Sequence, residues 1–169
     1  HLRNLNDACR QGTLCAEIGL VVTNNDNSGA WHYAKTLDLP RSICNQRAEE
    51  SVAIADEALR QCLLEHHIDW VITAGYLKKI GPLTLAAFVD RIINIHPSLL
   101  PKYGGAGMYG KHVHQAVLAA NETQSGATVH YVTAGYDEGA IIAQNQVTIA
   151  QGMTPNRLAE TILKVEHPL

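Results

Sequence analysis

The sequence predicts an α/β fold in which a mostly parallel, twisted sheet carries helices on both faces. Three observations point there. Short apolar runs alternate along the chain with segments of helical periodicity. Several of these runs are apolar at successive positions, as strands covered on two sides must be. Finally, 46% of the 169 residues are hydrophobic and only 17% are charged, which suffices to fill the core of one domain.

Each element has its own signal. His1 to Gln11 reads as a helix with Leu2, Leu5 and Ala8 along one side and Gly12 as its stop. Cys15 to Thr23 is expected to be a buried strand, Asn24 to Ser28 a polar turn, Gly29 to Leu37 a short helix and Pro40 to Cys44 a brief strand. Glu49 to His66 has the strongest helical pattern, since Val52, Ile54, Ala55, Ala58, Leu59 and Leu63 recur at helical spacing. Ile68 to Ala74 is a strand, Pro82 to Phe88 a short helix and Arg91 to Ile95 another apolar strand. Four glycines between Gly104 and Gly110 predict a mobile flap. Lys111 to Ala120 is helical, and Gly126 to Thr133 and Ile141 to Ile149 are strands joined by the polar loop Ala134 to Gly139. Thr154-Pro155 opens the last helix.

Composition narrows the function. A net charge of -3 argues against broad binding to nucleic acid or a membrane surface. No apolar run reaches the roughly 18 residues that span a bilayer, and no secretory signal is expected. The four cysteines (Cys9, Cys15, Cys44, Cys62) lack CxxC spacing and read as reduced thiols of a cytoplasmic protein.

The chemistry concentrates at RIINIHPSLLP, Arg91 to Pro101. Asn94 and His96 are two apart, so on a strand both side chains point to one face. An amide and an imidazole where a strand opens to solvent suit stabilisation of an oxyanion and transfer of a proton. The plainer reading is an asparagine capping a turn and a packed histidine. Asp137, between Gly135 and Gly139, would orient and charge His96 if it lies nearby; otherwise it is a turn aspartate. Lys78, Lys79, Lys102 and Lys111 cluster after two strand ends and suit an anionic ligand or a solvated rim. His112 and His114 diverge on a helix, His130 reads as a hydrogen-bonded core residue, and no zinc-type Cys/His spacing occurs, so no metal is expected. Ser98 lacks the setting of a nucleophile.

At NIHPSLLPKYGG the chain resembles the phosphoribosylglycinamide formyltransferases, or glycinamide ribonucleotide transformylases, and the likeness covers nearly all of it. AGYLKKI (Ala74 to Ile80), NIHPSLLPKY (Asn94 to Tyr103), GATVHYVTAGYDEGAIIAQ (Gly126 to Gln144) and the closing VEHPL carry it. Proline directly after His96 and the SLLPKY run favour this branch over other formyltransferases. The resemblance implies a Rossmann-like formyltransferase fold. It also implies transfer of a formyl group from 10-formyltetrahydrofolate, as co-substrate and without a metal, to the amine of glycinamide ribonucleotide in de novo purine biosynthesis. Asn94, His96 and Asp137 would be catalytic. Leu77, Lys78, Lys79, Ile80, Asn94, Val132 and Asp137 would bind folate, and Pro97 and Glu166 the ribonucleotide. The family's phosphate loop and first strand would precede His1, and its last helix would continue, so residues 1–169 are expected to form one formyltransferase domain lacking those parts. The flap is longer and richer in glycine than the family's short form, and Lys78 stands where arginine is common. A cytoplasmic monomer or homodimer is expected. Hydrolysis of formyltetrahydrofolate and an inactive folate- or nucleotide-binding module are the alternative readings.

Overall fold

The computed structural model describes residues 1–44 and 51–169. They form two compact units, one from His1–Trp70 with Ile80–Val89 and the other from Val71–Lys79 with Asp90–Leu169.

In the first unit, α1 (Leu2–Gln11) stops at Gly12, whose φ of 74° lets its N–H turn back onto the carbonyls of Ala8 and Cys9. β1 (Val21–Thr23) pairs in parallel with β2 (Arg41–Ile43). Between them, α2 (Gly29–Thr36) is capped by the Ser28 side chain, which accepts from the Trp31 N–H. The Asn6 amide of α1 donates to the Tyr33 hydroxyl of α2 at 3.3 Å. The expected strand from Cys15 to Thr23 is therefore much shorter. Among the described residues, only its last three find a ladder partner, and Cys15 to Glu17 are exposed without strand geometry.

α3 (Val52–Glu65) starts at the Ser51 cap. Glu49 and Glu50, where the helical pattern was expected to begin, lie outside the described residues. Leu59 and Leu63 are buried as expected, but Val52 and Ile54 are 68% and 56% exposed. Asp56 is buried instead, at 6%. Its carboxylate caps α4 (Pro82–Ala87), accepting from the Leu83 N–H at 2.8 Å, the Thr84 N–H at 3.1 Å and the Thr84 hydroxyl at 2.6 Å. A Cβ at Gly81 would run into this carboxylate, so the close approach requires glycine there.

The second unit holds a four-stranded sheet in the order β3 (Val71–Thr73), β4 (Ile92–His96), β5 (Gln124–Tyr131), β6 (Ile141–Thr148). β3 and β4 are parallel, while β5 and β6 add an antiparallel hairpin. The expected α/β class is thus what the chain adopts, with parallel pairs built first and the hairpin last. α5 (Lys111–Ala119) and α6 (Pro155–Glu166) pack on each other and on the hairpin through Val113, Val117, Ala127, Leu158 and Ile162. The Thr154 side chain caps α6 by accepting from the Arg157 N–H, with Pro155 at the first helical position.

Asp56→Ala would strand the Leu83 and Thr84 N–H groups and leave the buried Thr84 hydroxyl only its longer bond, to the Asp56 backbone carbonyl at 3.2 Å. We expect it to lower unfolding stability by about 2–4 kcal/mol in urea titrations, and a loss under ~0.5 kcal/mol would show that this cap is dispensable.

Candidate active site

β4 carries Asn94 and His96 toward the end of the strand, and register supplies their neighbours. Thr73 of β3 lies beside Asn94 on one side. His130 of β5 lies directly opposite Asn94 on the other, and Thr128 opposite His96. Directly opposed antiparallel residues share a face, so pairing alone brings an amide and two imidazoles together.

The Asn94 amide is held at both ends. Its oxygen accepts from the Thr73 hydroxyl at 2.8 Å, and its nitrogen lies 3.1 Å from His130 Nε2. His130 Nδ1 lies 2.9 Å from the Tyr131 carbonyl, which can only accept, so the ring proton sits on Nδ1 and Nε2 accepts from Asn94. His130 Nε2 also faces Asp137 Oδ1 at 3.5 Å. The two contacts call for opposite roles: a neutral ring accepts from the amide, whereas a protonated ring donates to the carboxylate.

His96 is 4% exposed. Its Nε2 donates to the Tyr103 carbonyl at 2.8 Å, and its Nδ1 lies 3.5 Å from Asp137 Oδ2. Burial drives its pKa below the ordinary histidine value, outweighing the pull of Asp137 and of the Tyr103 carbonyl, with His130 pushing the same way as burial. Asp137 shows the reverse balance. Burial raises its pKa, but His130, the Gly105 N–H and His96 together hold the carboxyl below its usual value. The site thus sets the Asp137 carboxyl, held below its usual value, between two imidazoles, with burial disfavouring the charged form of His96.

The glycine-rich flap, expected to be mobile, is tied down at its root. The Ser98 hydroxyl donates to the Lys102 carbonyl at 2.7 Å, His96 to Tyr103, and the Gly105 N–H to Asp137 Oδ2 at 2.9 Å. Gly105 reaches that carboxylate with φ at 97°, a conformation glycine adopts without strain. Tyr103 and Asp137 take φ of 58° and 56° without that freedom, and such backbone persists where surroundings enforce it.

The remaining expected residues are placed as follows. Leu77 is 57% exposed and Lys78 half-buried in the loop after β3. Lys79 Nζ lies 5.2 Å from the centre of the Tyr136 ring, joining that loop to the one bearing Asp137. The Val132 N–H donates to the Ile92 carbonyl at 2.9 Å. Ile80 is buried within the first unit. Pro97 is half-buried after His96, and Glu166 is buried in the last turn of α6, where burial raises its pKa. Of the clustered lysines, Lys102 pairs with Glu122 at 2.9 Å.

Hydrogen bonds therefore join Asn94 to His130, and the Asp137 carboxylate lies against both imidazoles. Sequence reading missed His130 as a member, along with Thr73 and the Gly105 N–H. Strand alternation gave the face of His130, but only the β4–β5 register shows that this face meets Asn94. His114, on α5, is buried with its Nδ1 lacking a hydrogen-bond partner among the described residues, and burial followed by His96 lowers its pKa. Among the described residues, no group of three or more His, Cys, Asp or Glu side chains is placed to hold a metal ion, and no helix is long and apolar enough to cross a membrane.

The pKa directions predict how stability responds to pH. Because folding lowers the pKa of His96, the unfolded chain binds the extra proton between that lowered value and about 6.5. Stability falls as pH drops through this window. Asp137, also lowered, contributes stability above about 3.9 that is lost as pH falls toward its folded value. Urea midpoints measured between about pH 8 and 5.5 should therefore drop less in His96→Gln than in the parent protein; equal slopes would contradict the burial of a neutral His96.

Comparison with known proteins agrees with this architecture. The formyl transferase family model matches residues 1–169. The chain is 38% identical over 170 positions to the chloroplastic phosphoribosylglycinamide formyltransferase of Arabidopsis thaliana, covering 100% of this chain and 58% of the relative. It is 33% identical over 149 residues to phosphoribosylglycinamide formyltransferase of Haemophilus influenzae, covering 88% and 68%. The crystal structure of glycinamide ribonucleotide transformylase 1 from Symbiobacterium toebii matches with a TM-score of 0.92 and 33% identity, over 99% of this chain and 77% of that one. The chain spans 58% and 54% of the two plant relatives it matches, those of Arabidopsis thaliana and Vigna unguiculata. With the family match running from the first residue to the last, the chain belongs to the formyl transferase family.

Proposed function

We propose that this chain carries the reaction centre of a phosphoribosylglycinamide formyltransferase, moving a formyl group from 10-formyltetrahydrofolate to the amine of glycinamide ribonucleotide in purine biosynthesis. The observation that carries this reading is Asp137 set 3.5 Å from His96 Nδ1, beside an Asn94 amide fixed at both ends.

The roles follow from the hydrogen-bond inventory. The neutral amine attacks the formyl carbon, forming a C–N bond and a tetrahedral oxyanion. Asn94 spends one of its two amide hydrogens on His130, and the second meets the oxyanion. His96 Nε2 is committed to the Tyr103 carbonyl, so Nδ1, on the Asp137 side, is the nitrogen that exchanges a proton. The amine loses a proton as the new bond forms, and the folate nitrogen gains one as the old C–N bond breaks. Asp137 stabilises the imidazolium while the proton is on His96. The formyl donor is already activated, so this sequence of steps requires no metal.

Folate would lie along Leu77, Lys78, Lys79, Val132 and Asp137, and the ribonucleotide against Pro97 and Glu166. The four free cysteines support a cytoplasmic setting.

The test is a spectrophotometric assay of formyl transfer in the full-length protein, with and without glycinamide ribonucleotide. His96→Ala and Asp137→Asn should each cut turnover by roughly 10²–10⁴-fold, while calorimetry with a folate analogue shows binding retained. Full activity in either variant would overturn the mechanism. Formate release without ribonucleotide would favour hydrolysis, and binding without turnover would favour a folate-binding module.

A further inference from the structure

We infer that Glu122, outside the reaction centre, is a positioning residue that holds His96 in register through Tyr103. The inference deepens the reading of the site given above. Its starting point is the conformation of Tyr103. A tyrosine at φ 58° is costly for an L residue and needs an external hold. Tyr103 has two. Its carbonyl accepts from His96 Nε2 at 2.8 Å, and its hydroxyl donates to Glu122 Oε1 at 2.9 Å.

Glu122 is itself fixed. It follows α5, and its backbone N–H donates to the Val117 carbonyl at 3.3 Å. Val117 belongs to the apolar core shared by α5, α6 and the hairpin. A rigid path therefore runs from that core through Glu122 to the Tyr103 ring, and from the Tyr103 carbonyl to His96. Two residues further on, the Gly105 N–H binds Asp137 Oδ2, so the segment that seats His96 also seats its carboxylate partner. Lys102 shares the same Glu122 oxygen at 2.9 Å, but its side chain is 65% exposed, and such a pair contributes little. The tyrosine hydroxyl, a donor to an ionised acceptor from a half-buried ring, makes the stronger link.

The groups facing His96 are Asp137 from the β5–β6 loop, His130 from β5, His114 from α5 and the Tyr103 carbonyl. Of these, Glu122 acts on the Tyr103 carbonyl. Losing that acceptor removes a partner of the imidazolium, so His96 should then protonate only at lower pH.

The experiment is side-chain histidine NMR in the full-length protein, with the His96 signal assigned by its loss in His96→Gln. The His96 titration midpoint should move to lower pH in Tyr103→Phe and in Glu122→Ala. It should stay near the parent value in Lys102→Met and in Glu122→Gln, which keeps an acceptor oxygen for the tyrosine. In the formyl-transfer assay, kcat/KM should fall by roughly 5- to 50-fold in the two disruptive variants. The Tyr103→Phe, Glu122→Ala double variant should be no worse than either alone, because both break one link. An unmoved His96 midpoint in Tyr103→Phe would overturn the inference, and this conservative variant decides even if Glu122→Ala fails to fold. If the parent protein transfers no formyl group, the reading of the site fails, and the NMR midpoints still decide the role of Glu122.

Discussion

One carboxylate organises the second unit. Asp137 accepts the Gly105 N–H and lies 3.5 Å from an imidazole nitrogen on each of two strands, and its side chain is only 12% exposed. A charge that far from water is tolerated only with partners. Here the partners are the two rings and the flap root, so burying the charge recruits the groups the chemistry needs. The attraction between a carboxylate and an imidazolium at this range, on the order of a few kcal/mol, is comparable with the penalty for burying a charged ring. At His96 burial outweighs the carboxylate. The carboxylate nevertheless stands ready as the partner of the imidazolium when the ring takes a proton.

Topology makes the arrangement possible. β4 lies between a parallel neighbour, β3, and an antiparallel one, β5. Asn94 therefore meets Thr73 on one side and His130 on the other. Because side chains alternate along a strand, a one-residue slip of β5 would carry His130 to the other face and free the amide. Gly139 guards the turn into β6: a Cβ there would collide with the Tyr131 carbonyl. The loop that brings Asp137 back thus closes tightly on the end of β5.

Much of this was legible in the chain and some was not, for identifiable reasons. Helical periodicity located α3, and the Asn-x-His spacing put Asn94 and His96 on one face, because both signals are local. The apolar run Cys15 to Thr23 looked like a long strand, yet only Val21 to Thr23 pair. Hydropathy reports the capacity to be buried, not the length of the partner strand. Val52 and Ile54 fitted the apolar stripe of their helix but are exposed, while Asp56 is buried because it caps a helix 26 residues away, at Pro82. His130 read as a core histidine. It is buried and hydrogen-bonded, but the side chains its Nε2 faces come from β4 and from the loop after β5. The glycines of the flap spoke for freedom, while the hydrogen bonds from Ser98, His96 and Gly105 that restrain its root depend on positions brought together only by folding.

The central claim is that Asp137 is an ionised carboxylate held by His130, His96 and the Gly105 N–H. Carbon-13 NMR of the Asp137 side-chain carboxyl, followed as a function of pH in the full-length protein, measures this directly. The account predicts titration below the ordinary aspartate value of about 3.9, moving upward in His130→Phe. Titration at or above that value in the parent protein would contradict it.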